Sequence, residues 1–164
     1  MAKKSSKKNS VSLIRKGIAV LASVVTFIFF FLEMIAYKVV GKNILTGKEV
    51  TEKTGVKVSD FLFNEDYSKL RETYSTANTI LLVVFVLAIV AILATVLGIV
   101  MKKGSMFSKI GAALLVIAML LMFVINVDKT ELITTNSYTN MTALYFIALA
   151  LSVGGLVSVA TLKD

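Results

Sequence analysis

Charge divides this chain into four long apolar stretches, residues 17–40, 78–101, 110–127 and 141–162. No charged residue occurs between Glu72 and Lys102, between Lys109 and Asp128, or between Glu131 and Lys163. The first stretch is uncharged from Lys16 to Lys38 except for Glu33. All four are apolar on every side, without the polar alternation of a barrel strand. A helix rises ~1.5 Å per residue, so about 20 apolar residues cross the ~30 Å hydrocarbon core of a bilayer. The shortest stretch, 110–127, still covers ~27 Å and crosses with little tilt. The pattern therefore predicts an all-α membrane protein, with four transmembrane helices in an up-down-up-down bundle. Residues 1–16 form a basic leading segment, 102–109 and 128–140 short links, and 163–164 the end of the chain. The first helix is expected to be retained rather than cleaved, because Glu33 stands three before Ala36 where a small residue would be needed.

The larger loop, 41–77, is the extramembrane region with room for recognition. Its 50–58 stretch is expected to form a short hairpin turning near Gly55. Asn64, followed by Glu65 and Asp66, is a helix-start signal, and Tyr67, Leu70, Tyr74 and Ala77 continue at helical spacing. A helical lead-in to the second span is expected from there. Phe61, Leu62 and Phe63 just before it are a candidate outer recognition patch. Exposed, they would meet a partner or lipid; packed down, they would plug the bundle end.

Charge gives the spans a direction. Lys3, Lys4, Lys7, Lys8, Arg15 and Lys16 precede the first span with no acid among them, and Lys102, Lys103 and Lys109 lie between the second and third. The 38–77 region balances seven bases against six acids. Basic excess on alternate loops is the positive-inside pattern. Both termini are expected in the cytoplasm, with 41–77 and 128–140 outside. The tyrosines, Tyr37, Tyr67, Tyr74, Tyr138 and Tyr145, all fall in or near the outer loops, as suits a ring that is half wet. The formal charge of +8 is thus explained by topology and does not call for a nucleic-acid partner. Lys3, Lys4, Lys7 and Lys8 are instead expected to meet anionic lipid of the inner leaflet. Only Arg15 and Arg71 among the 18 bases are Arg, a bias that suggests a bacterial cytoplasmic membrane.

Small residues mark candidate packing faces, because lipid tails are as apolar as Leu and membrane helices associate through close approach. Ala88, Ala91, Ala94 and Gly98 line one face of the second span. Ala150, Gly154 and Ser158 make two small-xxx-small steps on the fourth. That face is expected to pack inside the bundle; a homo-oligomer or a membrane-protein partner is the rival occupant.

The chain has no Cys and no His. Thiolate chemistry, Cys-ligated zinc and the usual general base are therefore excluded, and no cofactor or metal site is expected. Glu33 is the one acid in a spanning stretch and hence the candidate intramembrane functional group. Its place ~24 Å along the helix from Gly17 favours an interfacial role. The expected class is a non-catalytic interaction, accessory or scaffold protein. The alternative is a subunit of an oligomeric transporter or channel using Glu33. The plan is similar to that of tetraspan proteins such as claudins, in architecture only. The Trp and paired Cys of the claudin outer-loop signature are absent, since the chain contains neither residue type.

Overall fold

A computed structural model describes residues 2–42, 49–101, 104–125, 131–132 and 135–163. Four long helices form its body: α1 (Ala2–Phe29), then, after two strands and two short helices, α4 (Ser75–Val100), α5 (Ser105–Val124) and α6 (Ala143–Ala160). Each contains a segment long and apolar enough to cross a membrane, that of α1 being Ser10–Phe29. Successive long helices alternate in direction. The α4–α5 link and the far ends of α1 and α6 lie at one end of the bundle, and the strands lie at the other. Helix α1 packs against α4 and α6, and α5 packs against the same two, so the helices form a closed ring.

The sheet end holds four strands: β1 (Ile35–Lys42), β2 (Glu49–Val56), β3 (Glu131–Leu132) and β4 (Thr135–Met141), in the order β2-β1-β4-β3. All pairings are antiparallel, with Ile35 opposite both Val56 and Met141. Between β2 and α4 run α2 (Val58–Phe63), a 3-10 turn (Glu65–Tyr67) and α3 (Ser68–Thr73).

Two expectations need correction here. The first span does not run to residue 40: α1 stops at Phe29, and residues 35–42 are strand. The last turn tightens through bonds from the Phe30, Phe31 and Leu32 amides to the carbonyls three residues earlier, at 2.9–3.0 Å. Such bonds satisfy carbonyls that a helix end leaves open. Nor does 50–58 fold on itself around Gly55. Glu49–Val56 is one continuous strand paired with Ile35–Lys42. The connection between them, 43–48, lies outside the described residues.

The core runs up the centre of the ring. Phe30, Met34, Leu81, Val84, Leu115, Met119, Met122 and Tyr145 are fully buried in it, with Val58 of α2 closing the sheet end. Ala19, Ala112, Val159 and Leu162 form a smaller cluster at the opposite end. Outward faces are apolar as well, with Leu21, Leu93, Leu120 and Val157 exposed. A helix bundle apolar both inside and out is suited to a hydrocarbon surround.

Candidate functional site

The small-residue faces account for the helix pairs. On α4, Ala88, Ala91 and Gly98 are buried together with Thr95, while Ala94 is half-buried at the edge. Helix α5 answers with Ser108, Gly111 and Ala112, all buried. The approach is close: a Cβ placed on Gly111 would stand 2.6 Å from the Ala91 carbonyl oxygen and 2.8 Å from the Thr95 nitrogen. No side chain fits there.

Helix α6 is rotated from the expected face. Its inward residues are Tyr145, Ala148, Ser152, Gly155 and Val159. Ala150 and Gly154 are exposed, and a Cβ on Gly154 would meet nothing within 4 Å. The expected internal face therefore holds for Ser158 alone, which is half-buried against α1. Gly155 is the residue in close contact, where an added Cβ would lie 2.9 Å from the Ala22 methyl. Two polar anchors set this rotation. Tyr145, expected as a half-wet interfacial ring, is instead fully buried, and its hydroxyl donates to the Met119 carbonyl of α5 at 2.7 Å. The Arg15 Nε donates to the Ser158 carbonyl at 2.6 Å and its Nη2 to Thr161 Oγ1 at 2.7 Å, while the single Ser158 hydroxyl proton lies between the Gly155 carbonyl at 2.6 Å and the Arg15 carbonyl at 3.1 Å. A cation there meets the open carbonyls and negative end of α6. The expected basic leading segment thus contributes to the bundle. Lys16 also turns inward, 8% exposed, on the face that carries Ala19, Ser23 and Thr26.

Buried hydroxyls are engaged with backbone. Ser23 donates to Ala19 O at 2.8 Å, Thr95 to Ile92 O at 2.9 Å and Ser152 to Leu149 O at 2.7 Å. Thr26 reaches Ala148 O of α6 at 3.4 Å. This is the usual fate of Ser and Thr inside helices, whose hydroxyls bond back along the helix.

Glu33 lies past the end of α1, in the turn that leads into β1, and is exposed. Its carbonyl accepts from Thr142 Oγ1 at 2.8 Å, while Thr142 N donates to Met34 O at 3.0 Å. Its side chain lies over β2 at Gly55, where an added Cβ would stand 2.6 Å from the Glu33 Cδ. Among the described residues no group of His, Cys, Asp or Glu is placed to hold a metal ion.

The Phe61–Leu62–Phe63 patch is divided. Phe61 and Leu62 are half-buried and pack on the core cluster, while Phe63 is 61% exposed. Helix α2 is fixed from both sides. Ser59 N donates to Phe30 O at 3.1 Å. Arg71 Nη1 donates to Phe61 O at 2.8 Å and to Asn64 O at 2.7 Å. Asn64 in turn caps the 3-10 turn, its Oδ1 accepting from Asp66 N at 3.0 Å. Sequence reasoning had no sign of the Arg71 bracket, whose carbonyl partners carry no side-chain signature. The Lys3, Lys4, Lys7 and Lys8 side chains lie outside the described residues.

These features define a multi-pass membrane protein built on a four-helix bundle, with a small sheet and short helices closing one end. Neither the protein-family models nor the curated proteins searched contain a match to this chain.

Proposed function

We propose that this is a non-catalytic accessory or scaffold protein of a bacterial cytoplasmic membrane, acting through protein or lipid contacts at the sheet end and along the bundle. Both termini are cytoplasmic in this reading. One observation supports it above others. The polar groups inside the bundle bond to its own backbone, through Tyr145, Ser23, Thr26, Thr95 and Ser152. Tyr145 and Thr26 reach across to a neighbouring helix and the other three bond back to their own, and groups engaged in either way do not present a polar path to a solute. The charged groups lie at the two ends: Glu33, Asp60, Glu65, Asp66 and Glu72 with Lys57, Lys69 and Arg71 at the sheet end, and Arg15, Lys16, Lys109 and Lys163 at the other. That sorting leaves the middle of the bundle without a titrating pair for catalysis or proton relay.

Flux through proteoliposomes tests the proposal. Vesicles holding the purified protein should leak protons and alkali cations no faster than empty ones. In-cell crosslinking from the sheet end should meanwhile give a discrete adduct with a second copy or another membrane protein. A flux above background that Glu33→Gln abolishes would establish the transporter reading instead.

A further inference from the structure

We propose that Phe63, at the tip of α2, is embedded in lipid at the boundary between hydrocarbon and headgroups, so that an element outside the four spans anchors the sheet end to the bilayer. The inference needs only that the four helices cross a membrane and does not depend on the contact role.

Helix lengths locate the boundary. At ~1.5 Å per residue, the 20 residues of α5 cover ~30 Å and the 18 of α6 ~27 Å, matching a ~30 Å core. The 26 residues of α4 cover ~39 Å, more than the core requires. Its surplus falls at the sheet end, because the other end is tied to the start of α5 through residues 101–104. About 20 residues counted back from Val100 reach Leu81, and Phe85 lies ~6 Å deeper. The Phe63 ring meets that Phe85 ring edge to face, with centroids 5.3 Å apart. Phe85 also touches Phe27 and Phe31 at 5.2 and 6.5 Å. The span of α1 ends at Phe29, between those two, so α1 independently places the same level at the boundary.

The open side of Phe63 continues the lipid-facing surface of the spans. Phe31 of the α1 end is 47% exposed and Leu82 of α4 is 48% exposed. Polarity then changes abruptly. Asn64, Glu65 and Asp66 directly after Phe63 are all exposed. At the start of α2 the N-cap Lys57 pairs with Asp60 at 3.6 Å, half open to solvent. An apolar tip with charged neighbours behind it is the arrangement of an interfacial helix. An aromatic ring suits that level of the membrane. In water, by contrast, a 61% exposed Phe loses the transfer free energy of its open face.

The chain contains no Trp and no Cys, so single reporters can be introduced cleanly. Phe63→Trp and Glu65→Trp proteins, each reconstituted alone in phosphatidylcholine–phosphatidylglycerol vesicles, are titrated with lipids brominated near the top or near the tail of the acyl chain. The Phe63→Trp emission should be blue-shifted and quenched most by the shallow bromine; that of Glu65→Trp should be quenched by aqueous iodide instead. Phe63→Cys provides a second reading should the indole disturb α2. It should react with a membrane-impermeant maleimide about tenfold slower than Glu65→Cys on the same side of the vesicle. Equal reactivity, with iodide quenching of Phe63→Trp, would overturn the assignment. Shielding from iodide and bromolipid alike would also overturn it, since a second copy of the chain would then cover the ring.

Discussion

At the residue scale, Tyr145 best illustrates how side-chain chemistry orders an apolar interior. Its ring fills the space between α5 and α6, stacked beside Phe123, and its hydroxyl ties α6 to the Met119 carbonyl. Bonds of this kind in membrane proteins average ~0.6 kcal/mol and reach ~1.7. Tyr145→Phe should therefore lower unfolding stability in mixed micelles by roughly 1 kcal/mol. Tyr145→Ala should cost about 3–5 kcal/mol, because it adds a cavity to the lost bond. Similar losses for the two variants would show that the ring does not fill the space described. Glu33 makes a different point at this scale. Its identity as the lone acid in an apolar stretch was plain in the sequence. Its location was not, because that depends on where α1 ends. The end is set by the 30–34 turn and by Thr142, whose partners lie more than a hundred residues away in the chain.

At the element scale, the helix faces decide which substitutions matter. Gly154 and Gly155 are neighbours in sequence and opposite in environment: one faces open space, the other the Ala22 methyl of α1. Gly154→Leu should leave the bundle's thermal midpoint within a degree or two, since surface substitutions rarely exceed ~0.5 kcal/mol. Gly155→Leu should destabilise by about 1–3 kcal/mol or more, because the helices must part to admit it. Thermal unfolding of the two purified variants compares them directly, and the reverse order would mean that α6 is turned the other way. The face of α4 was legible because its small residues recur at helical period with no competing stripe. The face of α6 was not. Two small stripes share that helix, and the Arg15 clasp and Tyr145 bond select between them. Strand β1 was hidden for another reason. Ile35, Tyr37 and Val39 read as more apolar helix, although β-branched and aromatic residues at alternate positions also suit a strand. Its partner β4 is a polar run, Thr135–Met141, and that pairing is too distant in sequence for any local pattern to show.

At the scale of the whole molecule, hydropathy and length carry most of the architecture, because a bilayer admits few ways to satisfy the backbone. Four long apolar stretches imply four helices, and the short links that follow α4 and α5 make α4, α5 and α6 successive antiparallel neighbours. The part outside the spans obeys no such restriction, and there the sheet joins segments from both halves of the chain. It also joins chain ends of the bundle: β1 follows α1, and β4 leads into α6. The central claim is that one end carries the sheet, α2 and the described acids together with bases such as Lys57 and Arg71, that the other carries bases alone among the described residues, and that a membrane lies between. Single cysteines in the Cys-free chain test this directly, at Glu65 for the sheet end and at Lys109 and Lys163 for the other. An impermeant maleimide should label Glu65→Cys in intact cells, and Lys109→Cys and Lys163→Cys only after the membrane is opened. Labelling of Glu65→Cys and Lys109→Cys from the same side would contradict the account.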